Sequence, residues 1–277
     1  MSAALQTPTV AAVFVSAMAF ESASKGLVLS LNKFAETRAP VPAIMVVANV
    51  LSLMFAPVYV WSILSTTDCN QVATAFKVCM HMFFPTFSFF LLYKTWIVSQ
   101  KRRTVAVCAA ILMLNRCTWA VLDIFQSKAI QTPVGCFYLQ DKVTIVGISS
   151  GGLLIDLFCT GVTIMSAFRD VDRDTTPSKL QKVYQVLVAD NVLRSVSIMA
   201  VNGFTLNYAV CSSLQVIPGT PSVMILIPSV SGFVYTQALN VEFFWLSVRN
   251  GIMRADEGKD IRITSARLVD EKDGSRC

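Results

Sequence analysis

The chain of 277 residues is 54 % hydrophobic and only 14 % charged, with a mean hydropathy of +0.59, whereas soluble domains carry about 25 % charged residues. That balance argues against a water-soluble domain, and one His with eight scattered Cys leaves little material for a metal centre. The net charge of +6 does not argue for nucleic acid, because the basic residues sit in short connections and a tail, as membrane topology requires.

A helix crosses the hydrocarbon core with about 20 mainly apolar residues, and seven stretches qualify. The first, 9–30, is interrupted by Glu21 and Lys25, which stand four apart on one helix face with the acid first. The segment before it, MSAALQTPTV, lacks the basic region of a cleavable signal, so this helix is expected to be a retained anchor. Six crossings, with the first helix lying on the surface, is the alternative.

The second helix spans 42–64, and the polar stretch STTDCNQ then carries Cys69. The third, 72–98, holds His81 about two turns from its start, with Lys77 and Lys94 expected to snorkel toward the two membrane surfaces. His81 reads either as a hydrogen-bonded packing residue or as a ligand contact. After the basic loop SQKRRT, with Lys101, Arg102 and Arg103, the fourth helix spans 104–126 and contains Arg116. The connection TPVGCFYLQ brings Cys136. The fifth helix, 143–168, has Gly151 and Gly152 for close packing and Asp156 near mid-depth.

Arg116 and Asp156 lie at similar depth on sequential helices, so the two are expected to pair, either as a packing clamp or as a polar ligand or ion site. The next loop, FRDVDRDTTPSKLQK, carries Arg169 and Arg173. The sixth helix, 183–207, contains Asp190 and Arg194 four apart, and Cys211 follows it. The seventh, 222–248, contains Asn240 and Glu242. Glu21, Lys25, Asp190, Arg194, Asn240 and Glu242 together are candidates for an inner polar switch, unless the intrahelical pairs merely neutralise themselves. Residues 1–250 thus form a seven-helix domain and 251–277 a polar tail. No ten-residue alternation of a membrane barrel is present, so the expected fold is an all-α membrane bundle.

Sixteen basic residues fall in one set of connections and two in the other. The N-terminus is therefore expected outside and the C-terminus in the cytoplasm. Cys69, Cys136 and Cys211 then face an oxidising space, where they either stay reduced or form a pair. Three lone thiols without His or CxxC spacing do not make a zinc site.

Seven helices with this orientation, Cys69 at the mouth of the third helix and Cys136 in the next outside connection, resemble G-protein-coupled receptors. The resemblance covers the whole chain in topology and implies a Cys69–Cys136 disulfide. It implies a receptor that passes an extracellular or membrane-borne signal to a cytoplasmic partner at Lys101, Arg102, Arg103, Arg169 and Arg173. The family's motifs differ here. YKTWIVSQKRR lacks the acidic-Arg-aromatic triplet, VADNVLRSVSIMAVNGF lacks the Trp-x-Pro motif, and ALNVEFFWLSVRNG lacks Asn-Pro-x-x-aromatic. The stretch from Ser222 to Arg249 contains no lysine, so a retinal Schiff base is excluded.

Zinc-dependent intramembrane hydrolases need several His, and the chain has only His81. SSGGLLIDLF does not match the Gly-x-Gly-Asp signature of intramembrane aspartyl proteases. No enzyme, cofactor or metal is therefore expected. The implied partners are the lipid bilayer, a small-molecule or lipid ligand and a cytoplasmic signalling protein, in the plasma membrane or another secretory-pathway membrane. A small-solute or ion transporter or channel, or a non-signalling scaffold, is the competing class.

Overall fold

A computed structural model describes residues 3–65, 68–132, 135–173, 179–211 and 225–245. Seven helices are present among them: α1 (Ala3–Thr37), α2 (Pro40–Leu64), α3 (Cys69–Val98), α4 (Arg103–Gln126), α5 (Lys142–Arg173), α6 (Lys179–Cys211) and α7 (225–245). α1 to α5 are each long and apolar enough to cross a membrane. In α6 and α7 polar residues such as Arg194, Asn202, Asn240 and Glu242 dilute the apolar character, and those residues turn out to be buried or half-buried.

An expectation of the sequence is corrected between α4 and α5. The chain is not wholly helical, because strands β1 (Lys128–Thr132) and β2 (Gly135–Leu139) form an antiparallel hairpin there. The segments KAIQT and GCFYL contain Ile, Thr, Phe and Tyr, which favour strands, and they are too short to read as anything but a loop by length alone. The hairpin lies against α2 and α3. A Cβ at Gly135 would fall 2.1 Å from the backbone carbonyl oxygen of Ile63, so only glycine permits that approach.

Cys69 and Cys136 form a disulfide, with Cα atoms 5.2 Å apart. It ties the first residue of α3 to β2 across a separation of 67 residues. Closing a loop of that size restricts the unfolded chain by about 4 kcal/mol in the chain-entropy account. Cys136→Ser is therefore expected to lower the unfolding temperature, with no further drop when reductant is added to the variant. Equal melting of the wild-type protein with and without reductant would contradict this. The side chain of Cys211 lies outside the described residues.

The core follows α3, the most deeply embedded of the five apolar helices. Phe83, Phe87 and Phe90 of α3 meet Met45 of α2, Ile155 of α5, Ile198 of α6 and Tyr235 of α7 in one cluster. A second cluster toward the hairpin joins Phe55 and Tyr59 of α2 to Phe76 of α3 and Ile225 of α7. Within a bilayer such contacts are held by close van der Waals packing rather than by transfer out of water, because lipid tails are as apolar as these side chains. Polar ties fix the registers within this apolar frame. Ser52 bonds Thr236 at 2.7 Å, Tyr235 donates to Asn202 Oδ1 at 3.0 Å, and Asn240 Nδ2 donates to the Ser22 carbonyl at 2.9 Å.

Gly151 and Gly152 do allow close packing, although side-chain amides rather than a backbone occupy the space. A Cβ at Gly152 would lie 2.9 Å from Asn202 Nδ2, and one at Gly151 3.2 Å from Asn115 Nδ2.

Candidate functional site

Of the residues of α4, Arg116, Ala120 and Asp123 are buried. The spacing i, i+4, i+7 places them on one helical face, which turns inward. This face contributes Asp123 to a polar centre at the hairpin and, deeper, Arg116 to the cavity beside it.

Asp123 is fully buried and is the hub of that centre. Its carboxylate accepts from His81 Nε2 at 2.7 Å, Thr144 Oγ1 at 2.5 Å, Gln140 Nε2 at 3.0 Å and the Tyr138 hydroxyl. It thereby joins α3, α4, α5 and the hairpin. Lys77 does not snorkel to the surface as the sequence suggested. It is buried, donates to the Ser127 carbonyl at 2.7 Å and stands 5.0 Å from the centre of the Tyr138 ring. Burial, then the neighbouring Asp123 carboxylate, push the Tyr138 phenol well above its ordinary pKa. His81 is thus a hydrogen-bonded structural residue, and it also lines the adjoining cavity.

That cavity has a volume of about 70 Å³ and lies among α3, α4, α5, α6 and α7, room for several water-sized groups. Its polar lining includes His81, Arg116, Gln140, Asn202 and Tyr235. Gln140 follows β2 directly, so the hairpin's exit forms part of the wall. Pro85 also lines it, and having no N–H it leaves the His81 carbonyl without its helical donor.

Arg116 is 3 % exposed. Its Nη1 donates to the backbone carbonyl of Ile148, and no ion pair with Asp156 is made. The expected Arg116–Asp156 pair is thus corrected: the α4–α5 clamp exists, but a helix carbonyl supplies the acceptor. Asp156 stands two turns further along α5, outside the cavity lining, with Oδ2 buried and without a hydrogen-bond partner. It remains within electrostatic reach of both Arg116 and Arg194. Asn202 Nδ2 is likewise buried without a partner, and it lines the cavity. Its Oδ1 is engaged by Tyr235, which fixes the amide orientation.

A second centre lies toward the opposite end of the bundle. Glu242 of α7 pairs with Lys94 of α3, and Arg194 Nη2 of α6 stands 3.8 Å from the same carboxylate. All three side chains are buried. Lys94 therefore does not reach for the membrane surface, because a buried carboxylate on α7 holds it. Of the switch candidates with described side chains, Arg194 and Glu242 are the pair brought together across different helices. Glu21 and Lys25 pair with each other at 2.6 Å on the exposed face of α1. Asn240 ties α7 to α1. The side chains of Asp190, Arg169 and Arg173 lie outside the described residues. Lys101, Arg102 and Arg103 are exposed between α3 and α4. Among the described residues, no group of three or more His, Cys, Asp or Glu could hold a metal ion.

Sequence reasoning missed Asp123, Gln140, Thr144, Asn202 and Tyr235. For Asp123 a signal existed, since it lies seven residues from Arg116 and so on the same face.

The fold is similar to that of squid rhodopsin. The crystal structure of squid rhodopsin superimposes with a TM-score of 0.56 over 87 % of this chain and 85 % of that chain, at 13 % sequence identity. No family model matches the sequence, and no curated protein matches it. A rhodopsin-like fold with five helices apolar enough to cross a membrane makes this an integral membrane protein. The likeness is one of fold: α7, where the last helix would need its Schiff-base lysine, has none in the sequence from Ser222 to Arg249.

Proposed function

We propose that the chain is a receptor-like membrane protein that binds a small, acceptor-bearing ligand, best a carboxylate, beneath the hairpin and relays the binding to a cytoplasmic partner. The observation that carries this reading is the convergence of Arg116 and the unpaired Asn202 amide on one cavity. Both are donors, and a buried donor without a partner is costly. A ligand carboxylate satisfies both at once, and Arg binds that group in a fork.

The charge bias of the connections supports placing the hairpin end outside. The exposed Lys101, Arg102 and Arg103, together with Arg169 and Arg173, then form the cytoplasmic docking surface for a signalling protein. Residues 1–250 constitute the membrane domain and 251–277 the tail, and no catalytic step is assigned to either. The relay runs along helices that carry both centres. Asn202 and Arg194 share α6, while Tyr235 and Glu242 share α7, so drawing Asn202 or Tyr235 toward a ligand shifts the elements that hold Lys94.

A transporter is the second reading, favoured by Asp156, which lies between the two centres within reach of both Arg116 and Arg194. One experiment separates the two. The protein in nanodiscs is screened by thermal unfolding against a panel of small carboxylates. At 100 times its dissociation constant a ligand stabilises by about 2.7 kcal/mol, a shift of several degrees. The shift is expected to vanish in Arg116→Ala, and proteoliposomes are expected to show no uptake of the same compound. Uptake would replace the receptor reading with the transporter one, and equal stabilisation of Arg116→Ala would move the ligand elsewhere.

A further inference from the structure

Away from both polar centres, an apolar groove of about 460 Å³ runs between α3 and α4 on the lipid-facing side. Phe89, Tyr93 and Trp96 form one wall, while Ala106, Ala110 and Cys117 lie along the other. The small alanines are what leave the space. From Ala106 to Cys117 the helix rises about 16 Å, half of the roughly 30 Å hydrocarbon core, so the groove is as deep as one leaflet.

Its mouth is marked by three features. Lys101, Arg102 and Arg103 are exposed three to five residues before Ala106, whose N–H bonds the Arg102 carbonyl at 3.1 Å. The N-cap residue of α4, Arg102, makes no side-chain cap, so the first amides of that helix add to the positive field. Trp96, whose ring lines the groove, lies directly below this loop, its carbonyl accepting from the Lys101 N–H at 3.0 Å.

We propose that this groove holds one acyl chain of an anionic phospholipid whose headgroup is clasped by Lys101, Arg102 and Arg103. The leaflet depth and the almost wholly apolar lining fit a fatty chain, and the three cations fit a phosphate-bearing anionic head. A sterol would fill the groove and leave the cations idle. A soluble peptide would have no route to a groove that opens to lipid. On the orientation proposed above, the site faces the cytoplasmic leaflet, where anionic lipids concentrate. The site is independent of the ligand cavity and does not require that the chain signal.

The test titrates the purified full chain in micelles with dioleoyl-phosphatidylglycerol or dioleoyl-phosphatidylcholine and counts bound lipid by native mass spectrometry. Phosphatidylglycerol is expected to bind at least 10-fold more tightly than phosphatidylcholine. Replacing Lys101, Arg102 and Arg103 together with Gln is expected to weaken phosphatidylglycerol about 100-fold. Ala110→Trp fills the groove while leaving the charges in place, and it is expected to abolish the tightly bound lipid. Ala106→Leu serves the same purpose should Ala110→Trp fail to fold. Undiminished phosphatidylglycerol binding in the filled variants would reduce the effect to a general attraction of the basic loop for anionic lipid and overturn the site. Equal binding of the two lipids, or displacement by cholesterol with no effect of the charge variant, would overturn it as well.

Discussion

Asp123→Ala is expected to destabilise the protein by about 3–5 kcal/mol, lowering the unfolding temperature by on the order of 10 °C. The carboxylate is fully buried and accepts from His81, Tyr138, Gln140 and Thr144. Removing it strands four donors in a place water reaches poorly, and each unsatisfied donor costs about 1–3 kcal/mol before the site relaxes. The hairpin should suffer most, because Tyr138 and Gln140 are its links to α4. Hydrogen exchange at residues 135–140 is therefore expected to rise in the variant while the Cys69–Cys136 disulfide stays intact. Asp123→Asn keeps one acceptor and is expected to cost less. A melting temperature unchanged by Asp123→Ala would mean that the network contributes nothing.

Glu242→Leu should have an effect of similar size for a different reason. It leaves the Lys94 ammonium buried without the carboxylate that holds it, and Arg194 loses the same neighbour. Breaking one side of a buried ion pair costs about 3–5 kcal/mol, whereas replacing both sides by apolar groups is often neutral. The double variant Lys94→Met/Glu242→Leu is accordingly expected to be more stable than Glu242→Leu alone, measured by the same thermal unfolding. Additive losses from the two single changes would show that the groups are not coupled.

Much of this architecture was legible because membrane helices announce themselves by length and composition. The first six spans fall within the helices found, α1 extending beyond 9–30 at both ends, and 225–245 of the seventh span is helical, the rest of that span lying outside the described residues. The disulfide was legible from the placement of Cys69 and Cys136 in a family-like topology. The hairpin was not, since five-residue strands carry no periodic signal strong enough to separate them from a loop.

The candidate site was half legible. A charge in an apolar helix is costly and so draws notice, which singled out Arg116, Asp156, Arg194 and Glu242. Partner choice was not readable, because it depends on helix rotation and tilt, which sequence spacing does not fix. Lys94 illustrates this: near the C-terminal end of α3 it has the same spacing whether it turns out to the headgroups or in to Glu242. Arg116 chose a carbonyl over Asp156 for the same reason. Asn202 and Tyr235 were passed over because neutral polar residues in a helix are common, and only the cavity gives them a direction.

The central claim is that the cavity beneath the hairpin and the Lys94–Glu242–Arg194 cluster are two ends of one coupled element. Coupling between sites is reciprocal, so loosening the far cluster must alter ligand affinity at the near one. The direct measurement is the dissociation constant of a cavity-binding carboxylate for the wild-type protein and for Glu242→Gln, in the same nanodiscs. A change of about 5-fold or more, corresponding to a coupling free energy of about 1 kcal/mol, is the expected result. Identical constants in a variant that folds would show that the two centres do not communicate, and the receptor account would fail.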